Sequence, residues 1–230
     1  MIEIPQGEFI YRVEHRIMEG DCQYDHGPRP VKAGPLYVDK FPVTNYLFKI
    51  FLDESGYNPS DKSNFLKHWN EGICPSALKE HPVTWVSQTD AKAYAGFYGC
   101  RLAKDYEWQY IAGGLEKWPY PWGKFFDPAL CNSKSSREGD TTPVDKYPDG
   151  AGPFGNMDLC GNTWEWVDDI IDDGMHIFTF LRGGSSYAAP HFWHAEGGPC
   201  KNNYHLKMQL LNEGINRSGT VSFRCVRDCE

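Results

Sequence analysis

The stretch Pro190-His191-Phe192-Trp193-His194-Ala195-Glu196 holds the side chains best suited to redox chemistry. His191 and His194 are three apart, which on a helical turn brings both rings to one side. With Glu196 they form a reasonable ligand set for iron, copper or zinc. An H-x-x-H pair alone is a signal of low specificity, and the same histidines would serve in a ligand pocket or on the surface. Ser185, Tyr187, Trp193 and Tyr204, with Phe192, offer a hydroxyl and flat apolar faces suited to holding a small molecule or peptide in a cleft. Asp168, Asp169, Asp172 and Asp173 read as a solvated acidic loop. The chain has no Gly-x-Ser-x-Gly elbow, phosphate loop, dinucleotide fingerprint or H-E-x-x-H helix.

These residues need a scaffold, and composition bounds it. A chain of 230 residues fits one large domain or two small ones. Aromatic residues make up 15% of it, with 23 Gly and 16 Pro, so rings and turns dominate over long helices. Net charge is −8, with no basic cluster, which argues against nucleic acid as a partner. No apolar run is long enough to span a bilayer and the amino terminus does not read as a signal peptide, so no membrane partner and a cytoplasmic location are expected. There is no C-x2-C pair, and Cys225-x3-Cys229 has no matching second pair, so the eight cysteines are expected to be mostly buried thiols.

Local patterns then mark the elements. Glu3–Ile10 alternates like a strand broken by a turn, and Leu36–Phe41 is a second strand. Thr44 or Asn45 caps a helix with Leu47, Ile50 and Phe51 on one face, ended by Ser55-Gly56. Ser87 caps a second helix carrying Ala91, Tyr94, Ala95 and Tyr98, which stops at Gly99. A third runs from Asp105 to Ala112 with Tyr106, Trp108 and Ile111 towards a core. Val221–Val226 reads as the last strand. Helices early and irregular strands late define an α+β class.

Nine short motifs from Ile4 to Cys225 occur in the order of a known family. They are Ile4-Pro5-Gln6-Gly7-Glu8-Phe9; Phe41-Pro42-Val43-Thr44-Asn45; His81-Pro82-Val83 with Asp90-Ala91; Arg101-Leu102 with Glu107-Trp108; Pro121-Trp122-Gly123; Pro143-Val144-Asp145; Gly161-Asn162-Thr163-Trp164-Glu165-Trp166; Arg182-Gly183-Gly184-Ser185; and Phe223-Arg224-Cys225. Together they resemble the sulfatase-modifying-factor domain, the family of the formylglycine-generating enzyme, whose broader group includes sulfoxide synthases and a pyoverdine-maturation oxidase. The resemblance implies one domain over residues 1–230, a loop-rich variant of the C-type-lectin-like fold.

The resemblance also implies a structural calcium ion, held by the side chains of Asp158 and Glu165 and the carbonyls of Gly161 and Thr163. Oxygen donors of this kind suit calcium. A carboxylate bonded only to backbone amides is the alternative. A second calcium loop would begin at Asn132 and Ser133, but Ser136 stands near an expected acid. The family's copper-binding cysteines would fall near Ala188 and Trp193, where no thiolate is available for copper(I). Cys200 lies well past that place, so ordinary formylglycine synthesis is not expected. Two functions follow: a metal-dependent oxidoreductase acting on a small molecule or peptide through iron or copper at His191, His194 and Glu196, or a non-catalytic binding module on the same scaffold.

Overall fold

In the computed structural model, residues 1–15, 26–136, 138–187 and 198–229 are described. Among the described residues four α-helices, α1 (Asn45–Ser55), α2 (Gln88–Phe97), α3 (Asp105–Gly113) and α4 (Glu213–Asn216), pack with short strands in loop-rich surroundings. One sheet has the order β1-β5-β12-β6, formed by Ile2–Ile4, Leu36–Val38, Cys225–Asp228 and Arg101–Leu102. A second runs β11-β7-β9-β10-β3, formed by Val221–Ser222, Trp164–Trp166, Ile177–Arg182, Tyr204–Leu210 and Glu14–His15; β8 (Ile171–Asp172) pairs with β9. β2 (Gly7–Tyr11) and β4 (Arg29–Ala33) make a separate antiparallel ribbon. The expected α+β class and the three expected helices are present.

The helix ends follow local chemistry. Thr44 accepts a hydrogen bond from the Leu47 N–H at 3.2 Å, and Gly56 closes α1 at φ 66°. The buried face differs from the expected one. Phe48 and Phe51 are buried while Leu47 is 43% exposed, because the helix turns its rings onto Tyr94, at centroid distances of 5.7 and 5.3 Å. Ser87 and Asp90 form a capping box on α2, and Asp90 continues into a buried ion pair with Arg217, 2.8 Å to Nε. Tyr98 at the end of α2 is 40% exposed rather than packed inward.

Lys104 precedes α3 and has no side chain able to accept a hydrogen bond. Two carboxylates replace it: Glu107 accepts the Lys104 N–H at 2.8 Å and Asp169 accepts the Asp105 N–H at 2.6 Å. The acidic run is therefore partly structural, since Asp168 also pairs with Lys92 at 2.8 Å.

Val221–Val226 is not one strand. The chain breaks at Phe223-Arg224 and passes from β11, beside β7, to β12, beside β5. This crossing joins two apolar clusters, one around Phe48, Trp69, Trp164, Trp166 and Phe223, the other around Ile4, Tyr11, Trp108, Ile111 and Phe180. Among the described residues no helix is long and apolar enough to cross a membrane.

Candidate functional site

Arg182 ends β9, and its side chain is fully buried. Its Nε donates to Asp105 Oδ1 at 2.6 Å, its Nη2 meets Asp105 Oδ2, and its Nη1 donates to the carbonyls of Asn202 and Tyr204 at 3.0 and 3.1 Å. Tyr11 and His205 complete the shell of Asp105 at 2.5 and 3.0 Å. Desolvation alone would raise the Asp105 pKa, but Arg182 and His205 hold this carboxyl far below the ordinary range. Burial pushes the His205 ring down, against the pull of Asp105. This network anchors the chain as it enters the bend at Gly183-Gly184.

Both bend glycines have positive φ, 87° and 81°. A Cβ on Gly184 would lie 2.0 Å from the Gly198 carbonyl oxygen, and one on Gly183 would lie 2.9 Å from the Leu159 carbonyl oxygen. That close approach gathers three segments. The Gly183 carbonyl accepts from the N–H groups of Gly161 and Cys200 at 3.0 and 3.2 Å, and Ser185 N–H donates to the Gly198 carbonyl at 3.2 Å.

Ala188 and Trp193, the places where the resemblance puts the family's copper-binding cysteines, lie outside the described residues, but sulfur from other segments stands beside the bend. Cys200, distant in sequence, is drawn to the bend by the bridge between Gly184 and Pro199. Cys160 lies beside it, its thiol donating to the Cys200 carbonyl at 3.5 Å, and Cys131 packs next to Gly161. All three are buried. Burial first, and then a hydrogen bond with the Cys131 thiol, push the Cys160 thiol well above its ordinary value. Cys160 is therefore held as a thiol rather than as a ready thiolate. Among the described residues no group of three or more His, Cys, Asp or Glu side chains is arranged to hold a metal ion.

Next to the bend opens a cleft of about 390 Å³, lined by Ser133, Lys134, Asp140, Thr141, Tyr187 and Thr220 among others. Tyr187 stands at its mouth, 55% exposed. Ser185 is buried behind it, its hydroxyl donating to the Tyr187 carbonyl at 3.3 Å. The Ser133 hydroxyl is buried and has no hydrogen-bond partner among the described residues. Of the other expected pocket residues, Tyr204 does not line this cleft. It sits on β10 and packs against the larger apolar cluster. Trp193, His191, His194 and Glu196 lie outside the described residues.

The loop expected to hold calcium runs alongside. Asp158 and Asn162 both adopt positive φ, 59° and 56°, and Asn162 Nδ2 donates to Asp158 Oδ2 at 2.7 Å. Desolvation pushes the Asp158 carboxyl up to about 8, against the Asn162 hydrogen bond. Glu165 has a different environment from the one expected. It accepts Arg224 Nη2 at 2.6 Å and Nε at 2.8 and 3.0 Å, and the Trp108 indole at 2.7 Å. Those bonds occupy both carboxylate oxygens and neutralise the charge, so Glu165 is the internal partner of Arg224. The nearby Thr163 hydroxyl is buried without a partner among the described residues. Arg224 and Trp108 are functional neighbours that the motif reading did not connect to Glu165. In the second loop, the Ser136 hydroxyl satisfies Asn132 Oδ1 at 3.0 Å and the Ser133 carbonyl at 2.5 Å.

The fold and this loop system match known proteins. The model of the sulfatase-modifying factor enzyme 1-like domain matches residues 1–229. The chain therefore belongs to that family, the family of the formylglycine-generating enzyme. Mouse inactive C-alpha-formylglycine-generating enzyme 2 is 27% identical, over 98% of this chain and 84% of its own length. Bacillus subtilis YfmG is 28% identical over 83% of this chain, which spans only about half (48%) of YfmG. In solved structures, PvdO from Pseudomonas aeruginosa superposes with a TM-score of 0.70 at 20% identity, covering 98% of this chain and 93% of PvdO, a likeness of fold.

Proposed function

We propose that this chain recognises a small polar molecule or a peptide in the cleft beside the Gly183-Gly184 bend, as a binding member of the formylglycine-generating-enzyme family. One observation carries the reading: an open cleft of about 390 Å³ is lined by Lys134, Asp140, Thr141 and Tyr187 on a braced backbone. Convergent polar groups in a pre-formed concavity favour recognition. Burial pushes the Cys160 thiol beside it well above its ordinary value, which favours binding over turnover, and the mouse relative carries the word inactive in its name. A calcium ion held by Asp158 and the carbonyls of Gly161 and Thr163 would brace the loop behind the cleft, with Glu165 left to Arg224. The test is titration with a Cys-x-Pro-x-Arg peptide in the presence of copper, oxygen and reductant. Saturable binding without aldehyde, weakened in Tyr187→Ala and Lys134→Ala, supports the proposal. Aldehyde formation, or binding indifferent to both substitutions, refutes it.

A second reading is a metal-dependent oxidoreductase using iron or copper, drawn from the His191-x-x-His194 spacing and the nearby Glu196. Its ligands would be His191, His194 and Glu196. Stoichiometric transition metal in purified protein, lost in the His191→Ala, His194→Ala double variant, would establish it. Metal-free protein after anaerobic iron loading would reject it.

A further inference from the structure

A second cavity lies away from the bend and shares no lining residue with the cleft. It measures about 370 Å³, within the range of small-molecule sites, and opens between β2, the carboxyl-terminal end of α3, and residues 117–119 and 201–203. Its wall is apolar, with Phe9, Ile10 and Trp118. Its rim carries Arg12, Lys117 and Lys201 against a single acid, Glu14, which stands 4.0 Å from Lys201. In a chain of net charge −8, three cations facing one acid at a concave mouth invert the local field.

The cavity is also braced before any ligand arrives. Gln109, at its floor, is only 7% exposed, and its amide is fixed by both backbone groups of Arg12, accepting the N–H at 3.3 Å and donating to the carbonyl at 2.7 Å. Asn202 Nδ2 donates to the carbonyls of Ala112 and Trp118 at 3.0 and 2.9 Å, and its N–H donates to the Pro119 carbonyl at 2.6 Å. Asn202 thus ties together the end of α3, the Trp118 wall and the chain that carries Lys201. The backbone that frames the cavity is thus fixed beforehand, and the ordering cost of binding falls on the side chains at its rim.

We propose that this cavity is a binding site for a small organic anion with a flat apolar body. The ring would lie against Trp118 and Phe9, and the anionic group would meet Arg12, Lys117 and Lys201. Guanidinium and ammonium donors suit both carboxylate and phosphate. The proposal does not depend on the function assigned to the bend cleft.

The experiment uses the full chain and four probes: phenylacetate, phenyl phosphate, neutral phenylacetamide and inorganic phosphate. Binding is read by NMR from the Trp118 indole N–H, assigned with Trp118→Phe. Either aromatic anion should shift that signal saturably, and their order shows whether carboxylate or phosphate is preferred. Phenylacetamide and inorganic phosphate should each bind at least roughly tenfold more weakly than the better aromatic anion. The Arg12→Gln, Lys117→Gln, Lys201→Gln variant should lose at least roughly tenfold in affinity for that anion. All three side chains are exposed, so the variant should keep its thermal transition. Phenylacetamide binding as tightly as the anions would overturn the proposal, as would an unaffected triple variant. No saturable shift up to roughly 10 mM of either aromatic anion would do the same.

Discussion

Arg224 and Glu165 form an ion pair closed off from solvent, each side chain 1% exposed, with Arg224 Nη2 2.6 Å from Glu165 Oε1. Arg224 also donates to the Met157 carbonyl at 2.9 Å, so one guanidinium joins β7 to the loop carrying Asp158 at the point where the chain crosses between sheets. Removing one partner strands a buried charge. Arg224→Met should destabilise the fold by about 3–5 kcal/mol. Glu165→Gln keeps one acceptor oxygen but turns amide N–H groups towards a donor and leaves the guanidinium without its counter-charge, so it should cost about as much. Urea denaturation measures both losses, and a loss below about 1 kcal/mol in either variant would show that the pair does not hold the fold together.

Calcium, if Asp158 helps to hold it, should raise the thermal midpoint in a concentration-dependent way, as any ligand of the native state does. The increase should vanish in Asp158→Ala and persist in Ser136→Ala. A calcium-independent midpoint in the wild type would leave Asp158 as a carboxyl held neutral by its surroundings.

Thiol reactivity should divide along burial. Cys74, Cys100 and Cys229 are half-buried, whereas Cys131, Cys160, Cys200 and Cys225 are buried, and desolvation pushes Cys160 and Cys225 well above the ordinary thiol value. Brief alkylation of native protein followed by peptide mapping should label the first three well before the last four. Rapid labelling of Cys160 or Cys200 would reveal an accessible thiolate at the bend and favour the oxidoreductase reading.

Gly184→Ala places a methyl group 2.0 Å from the Gly198 carbonyl oxygen, at φ 81°. The loss should exceed about 2 kcal/mol, from backbone strain and steric displacement together. Gly174→Ala, also at positive φ but with open space around it, isolates the strain part. Chemical denaturation of both variants separates the two contributions.

The cap of α3 adds a pH dependence. Desolvation first, then Asp105, raise Asp169 from 3.8 to about 6 in the folded chain. A carboxyl raised on folding contributes stability in full below about pH 3.8 and loses it as pH rises through about 6. Between those values wild-type stability should fall with pH more steeply than that of Asp169→Asn. Equal slopes in denaturant titrations would refute the assignment.

Local features were legible in the residues themselves. Thr44 and Gly56 bound α1, Ser87 and Asp90 open α2, and the glycines at 183 and 184 mark a bend, because caps and left-handed turns are decided by a few neighbouring residues. Motif order likewise carried the family. The solvent-facing position of Leu47, the break of the last strand at Phe223-Arg224, the arrival of Cys200 beside Cys160, and the choice of Arg224 as the partner of Glu165 belong to the tertiary structure. Each depends on groups from separate parts of the chain meeting in a dry interior, where a charge must find its opposite and a backbone carbonyl its donor, and local spacing does not encode which distant group that will be.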